Sequence, residues 1–251
     1  MSTTQYRAIT FHFVRFPEPR AADDQTFAGP KAAGQWCFGP DSPQGDNGMR
    51  TRVSDVWGGV AFYTDPEDAA GTIEAIEDNL DFLGDARQSW HAHLCPIAHR
   101  GAVNWFEKAG QDAAILPADQ DPGGLLTVIT TAGFNNLPPE ELKADLPRRA
   151  DFLHNVDRVR DWFGTLPANL ARGVFGVSPL GNDGMTFSVW QDDAAMLATA
   201  YRPGTHRTQI DRYKREQTAD RTSFTRTRLL KSVGSWDGEW RSADLPLDAA
   251  V

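Results

Sequence analysis

One internal repeat constrains this chain more than any single motif. Phe62-Tyr-Thr-Asp-Pro-Glu-Asp-Ala-Ala70 can be laid without gaps on Phe187-Ser-Val-Trp-Gln-Asp-Asp-Ala-Ala195, 125 residues further along a chain of 251. Each copy reads as the end of a strand, an acidic helix cap and a helix that opens Asp-Ala-Ala. The separation is close to half the chain, so two βαβ-type modules in tandem are expected. A sheet with helices on one side has a bare apolar face, and two such faces pack together. The expected fold is therefore α+β, two tandem ferredoxin-like modules forming a dimeric-type α+β barrel within one chain. Residues 1–120 would be the first module, with a long loop at 17–50. Residues 121–251 would be the second, ending in a polar tail.

The remaining patterns fill in this plan. Tyr6 to Phe16 alternates large side chains and reads as a strand stopped by Pro17. Residues 17–50 are rich in Pro, Gly, Asp and Ser and read as a loop packing isolated aromatics. Val56–Tyr63 and Ser89–Leu94 read as strands, with a helix between them running to about Gly84. In the second half Gly124–Thr131, Met185–Trp190 and Ser223–Leu230 read as strands. Helices are expected from Pro138 to about Phe163, interrupted at Pro147, from Asp192 to Tyr201, and from Thr205 to about Ala219.

Composition narrows the function. Asp and Glu total 34 against 25 Lys and Arg, a net charge of −9, which argues against a protein that works by neutralising phosphates. The two cysteines, Cys37 and Cys95, form no CxxC, which removes a zinc ribbon or thioredoxin motif. No stretch approaches the roughly 18 apolar residues of a membrane span. Met1 to Tyr6 lacks a basic stretch followed by an apolar core, so a cytoplasmic location is expected. There is no G-x-S-x-G, no phosphate-binding G-x-x-x-x-G-K-[ST] and no G-x-G-x-x-G, so hydrolase, NTPase and nicotinamide-dependent readings lack support.

Histidine and arginine carry the chemistry that remains. His91 and His93 alternate on one strand, so both side chains share a face, as two metal ligands would, although no third ligand stands at a recognised spacing. His12 on the first strand would project into a barrel cavity as a distal acid or base, and the competing reading is a hydrogen-bonded sheet histidine. A cofactor-free enzyme would use His12 or His91 as a general base. Arg202, Arg207, Arg212, Lys214, Arg215, Arg221, Arg226 and Arg228 form a basic cluster in an acidic chain, either a solvated face or a seat for an anionic ligand.

From Gly184 to Gly238 the elements Thr186-Phe-Ser-x-Trp190, Asp193-Ala-Ala-Met196, Ala200-Tyr201, His206, the Arg-rich helix after it and Trp236-Asp-Gly238 succeed one another. This stretch resembles the C-terminal region of the spheroidene monooxygenase family, a group associated with carotenoid oxidation and similar to haem-binding dimeric α+β barrel proteins. The sequence departs from the family's pattern at Gln217–Phe224, where a Trp and an acidic pair would be expected, and residues 17–50 show no resemblance. The resemblance implies haem b with His206 as the iron ligand, a role a neutral imidazole suits. It places Arg207, Arg212 and Arg215 near the propionates, with Phe187, Trp190 and Tyr201 walling the slot and His12 as a distal acid or base. The implied activity is monooxygenation of an apolar small molecule held in a barrel cavity, with an external electron donor if O₂ is the oxidant. A haem-dependent dehydratase, another redox-neutral rearrangement enzyme or a non-catalytic haem or small-molecule module are the alternatives. Monomer and homodimer both remain open.

Overall fold

Two runs of four antiparallel strands, each in the same order, dominate the computed structural model, which describes residues 3–22, 27–41, 52–103, 105–106, 112–177, 182–201 and 205–236. Within 200–214 the side chains of 200, 201, 205, 206, 209, 210, 213 and 214 lie outside the described set. The elements are β1 (Thr4–Tyr6), β2 (Ala8–Ala21), β3 (Gln35–Pro40), β4 (Val53–Tyr63), α1 (Pro66–Glu74), α2 (Ile76–Asn79), a 3₁₀ turn (Asp81–Asp85), β5 (Gln88–Gly101) and β6 (Ala113–Ile115). There follow β7 (Leu126–Gly133), α3 (Pro139–Gly164), β8 (Asn169–Gly176), β9 (Asp183–Trp190), α4 (Asp193–Tyr201), α5 (Thr205–Glu216) and β10 (Arg221–Gly234).

The strands run β3-β4-β2-β5-β10-β7-β9-β8 in one eight-stranded sheet, while β1 and β6 form a separate parallel pair. Numbered within its own half, each set of four has the order 4-1-3-2 of a ferredoxin-like module. The halves join through their last strands, β5 and β10. The outer edges β3 and β8 then meet, with Asp41 bridging to Phe175 and Cys37 Sγ donating to the Val177 carbonyl at 3.2 Å. Closing a sheet on itself removes its unpaired edges. The expected α+β barrel within one chain is the observed fold.

Alternation decides what lies inside. Ile9, Phe11 and Phe13 of β2, Trp90, Ala92 and Leu94 of β5, and Phe187 and Met185 of β9 share one buried cluster with Phe175. Phe11 stacks on Phe187 across the lumen at 3.7 Å between ring centroids. Gly58 and Gly173 stand where a Cβ would strike the Phe175 ring, so both glycines make room for it. Among the described residues, aromatic rings occupy the barrel interior where an apolar substrate cavity is expected.

Several boundaries moved for identifiable reasons. Pro17 and Pro19 do not end β2, because the β2–β4 register shifts between Arg15 and Arg20 and the irregularity spares the prolines a ladder bond. Pro96 is accommodated in β5 by a similar shift against β10. The supposed loop at 17–50 contains β3, whose Trp36 and Phe38 pack under the first half's helices. The helix after β4 breaks into α1, α2 and a turn, whereas α3 runs through Pro147 uninterrupted. The two helix caps that announced the repeat are real, but they are Asp65, accepting from the Glu67 N–H, and Asp192, accepting from the Ala195 N–H. The true equivalence is 127 residues, Asp65 to Asp192, two more than the ungapped alignment.

Candidate functional site

Each half presents an outer sheet face to its own helices, and the predicted cofactor residues fall on the second. There β7, β9 and β10 turn Leu126, Val128, Trp190 and Phe224 outward, where Phe163 of α3 and Met196 of α4 pack on them. Further along the same face Thr130, Thr186 and Phe224 are only partly covered. α5 packs on α3 and α4.

The structure separates the residues expected to wall one slot. Phe187 points into the barrel core, whereas Trp190, three residues on, lies on the outer face against Phe163 and donates from Nε1 to Ser188 Oγ at 2.9 Å. The backbone of His206 lies in the first turn of α5. Its side chain and that of Tyr201 lie outside the described residues. The arginines of α5 already have acidic partners: Arg207 pairs with Asp211 at 2.9 Å, and Arg212 with Asp151 and Glu216 at 2.6 Å each. Arg215 is the most exposed of the three and reaches Glu216 only at 3.8 Å, so it is the one left for an outside anion. The basic cluster is also split, since Arg226 and Arg228 sit on β10. Arg228 holds Asp121 and Asp193 at 2.6 Å each, and its hydrogen bonds keep the Asp121 carboxyl down at about 2. This clasp is not legible in the residue order, because its partners are far apart along the chain.

The first half's outer face carries the histidines and is closed over His12 and His91. His12 points away from the lumen, on the side of β2 opposite Phe11 and Phe13, so it does not project into a barrel cavity. His12 Nδ1 meets His91 Nδ1 at 2.9 Å, and His12 Nε2 meets Thr10 Oγ1 at 2.6 Å. Thr10 Oγ1 lies 3.2 Å from the Tyr63 hydroxyl, which also reaches Thr72 of α1. Thr10, His12, Tyr63 and His91 are all essentially inaccessible to solvent.

The hydrogen bonds assign the protons of this chain. Thr72 gives its proton to the Asp68 carbonyl, so Tyr63 donates to Thr72, Thr10 donates to Tyr63, and His12 donates from Nε2 to Thr10. His12 Nδ1 then accepts from His91 Nδ1–H. His91 Nε2 is left as a bare lone pair with no partner among the described residues. Burial pushes the His12 imidazole far below its ordinary range, with His91 adding to the effect, and pushes His91 down to about 3. Both rings are neutral and neither is open to a substrate, which removes the general-base role considered for them.

His93 is different. It shares the outward face of β5 with His91, as alternation implied, and lies opposite Thr10 in the ladder. It lines a crevice of about 250 Å³ together with Arg7, Ala8, Pro66, Cys95, Leu116, Pro117, Ala118, Asp119 and Leu230. Its Nε2 has no partner among the described residues, and burial with nearby Lys231 holds its pKa near 4. Cys95 is a free thiol raised by burial and by Asp121, hence protonated and a poor nucleophile. No group of three or more metal-ligating side chains occurs among the described residues.

No protein-family model matches the sequence, and no curated protein matches it. Solved structures do match. An aldoxime dehydratase superposes with a TM-score of 0.51 at 11% identity, over 89% of this chain and 82% of that one. A second aldoxime dehydratase, in complex with butyraldoxime, gives 0.49 at 8% identity over 89% and 80%. A protein described as a monooxygenase, from Fusobacterium nucleatum subsp. nucleatum ATCC 25586, gives 0.38 at 10% identity over 92% and 95%. At these identities the likeness is one of fold: the chain is a dimeric-type α+β barrel built from a single polypeptide. The spheroidene monooxygenase family is not shown by these comparisons. Among the described residues no helix is long and apolar enough to cross a membrane.

Proposed function

We propose that the protein is a haem-dependent enzyme acting on an apolar small organic molecule, most directly a monooxygenase. The proposal divides the chain into a supporting first module, residues 1–120, and a haem-bearing second module, residues 121–251, in a cytoplasmic protein. The observation that carries it is the unequal cover of the two outer faces. The first is closed over His12 and His91 by α1, which lies against β2, β4, β5 and β10, while the second leaves Thr130, Thr186 and Phe224 partly open beneath helices that pack on one another. We take this strip, with Phe224 as an apolar floor and hydroxyls at Thr130 and Thr186, as the seat of the planar cofactor.

In this reading His206 of α5 ligates the iron through a neutral imidazole nitrogen. Helical spacing puts positions 206, 210 and 213 on one face, opposite exposed Arg215. Arg215, on the opposite face, is turned away from the iron side, while Arg212 ties α5 to α3 through Asp151 and the Arg207–Asp211 and Arg212–Glu216 pairs brace α5 from within. Bound haem supplies either oxidant activation, with an external electron donor if the oxidant is O₂, or a Lewis-acidic iron for a redox-neutral dehydration. The chain orients the substrate over the strip and excludes water from it.

Haemin titration followed by the Soret band tests this. Wild type should show a saturable shift, His206→Ala should lose it, and Thr130→Trp, which fills the strip, should weaken it. No shift in wild type, or an equal shift in His206→Ala, overturns the assignment. Substrate turnover with and without O₂ or peroxide then separates oxygenation from dehydration, and binding without turnover marks a non-catalytic module.

A further inference from the structure

The crevice on the first half's outer face lies apart from the strip proposed for haem. Its floor is formed by Ala8 of β2, His93 and Cys95 of β5, and Leu230 of β10. Its roof is Pro66 at the start of α1 and the segment 116–119. That segment is pinned from both sides, because the Leu116 N–H donates to the Tyr6 carbonyl and the Ala118 N–H to the Pro96 carbonyl, both at 2.8 Å. The crevice is therefore a preformed feature and not a gap left by a loose loop.

Its polar groups are few and poorly satisfied by the protein. His93 is 7% exposed, and its buried Nε2 has no partner among the described residues, an arrangement that costs stability unless something else supplies the hydrogen bond. Arg7 stands exposed at the mouth and makes no ion pair among the described residues. Between them the wall is hydrocarbon: Leu116, Pro117, Ala118 and Leu230. Asp119 is on the rim, and Lys231, opposite His93 in the ladder, is committed to Glu74 at 3.1 Å.

We propose that this crevice binds a small monocarboxylate with an apolar body. The carboxylate pairs with the Arg7 guanidinium, whose fork matches it in two parallel hydrogen bonds. The hydrocarbon lies along Leu116, Pro117 and Leu230 and reaches the uncharged His93 ring. Asp119 on the rim sets the charge limit, since a dianion would face its carboxylate. A volume of about 250 Å³ admits a molecule on the scale of benzoate rather than a drug-sized one.

The probe is benzoate, with benzamide as its uncharged counterpart, and the readout is the His93 imidazole ¹⁵N and Hε1 resonances of the intact chain, assigned with His93→Gln. Benzoate should shift these signals saturably, benzamide much more weakly, and Arg7→Gln should weaken benzoate by about tenfold or more. Arg7 is exposed, so this variant leaves the fold intact. The same shift should persist in His206→Ala, which separates this site from the haem assignment. Absence of a saturable shift, an equal response to benzamide, or affinity unchanged in Arg7→Gln overturns the proposal.

Discussion

The two halves of the barrel share a backbone plan and put different chemistry at equivalent positions. With Tyr63 matched to Trp190, each two residues before its helix cap, the ladders align His12 with Thr130, His91 with Phe224 and His93 with Arg226. The first half fills its outer face with two imidazoles in a closed hydrogen-bonded chain beneath α1. The second fills the same places with a threonine and a phenylalanine left partly open. The interior is unequal in the opposite sense: Ile9, Phe11 and Phe13 are matched by Thr127, Ile129 and Thr131. There Thr127 pairs with Thr227, and Thr131 with Ser223 at 2.6 Å. On the shared barrel plan, the first outer face is closed over His12 and His91, while the matching positions of the second, Thr130 and Phe224, stay partly open.

The largest expected effect comes from the aromatic interior. Phe11→Ala should cost about 3–5 kcal/mol in urea unfolding, whereas Thr127→Val with Thr227→Val, which removes both partners together, should be nearly neutral. Similar losses from the two would break the contrast.

Acid should reach the sealed face next. His91 and His93 have folded pKa values near 3 and 4, below the usual imidazole value, so the unfolded chain binds protons more readily. Their contribution is complete above about pH 6.5 and is lost as pH falls towards the folded values, by about 1.4 kcal/mol per pH unit for each ring. Unfolding at pH 7.5, 6 and 5 should show this slope. Asp121 and Asp145, held near 2, add their own loss only below about pH 4, so a flat profile between pH 6.5 and 5 would remove the buried-imidazole account.

Smaller effects sharpen the equivalence. Asp65→Ala and Asp192→Ala should each cost about 1 kcal/mol, since both carboxylates cap helices in the same place. Arg207→Gln, with an exposed i,i+4 pair, should change stability by less than about 1 kcal/mol. A larger loss there would mean that α5 depends on that pair to stay helical.

Much of this was legible in the residues, and what was not has physical causes. The repeat was visible because helix capping needs an acidic side chain at a fixed place. Its register is two residues out because Asp68 stands three residues after its cap and Asp193 one after its own, and these two aspartates match in the ungapped alignment. The first strand was legible as a strand but not in its orientation: Ile9, Phe11 and Phe13 face the lumen while Thr10, His12, Val14 and Phe16 are equally buried on the other side. With both faces covered, alternation carries no polarity signal to say which side His12 takes. β3 escaped notice because its Trp36 and Phe38 stand among glycines and prolines that read as a loop. The arginines of α5 were seen as a group, but partners such as Asp151, on another helix, are set by tertiary packing alone.

The seam of the barrel also has a consequence for synthesis on the ribosome. Cys37 bonds to Val177 across 140 residues, and β5 finds its second neighbour only when β10 is made. The first half therefore emerges with the outer side of β3 and the far side of β5 unpaired, and both must wait for most of the chain. Such long-range closure is slow, and until it happens the nascent protein offers two sheet edges to its neighbours.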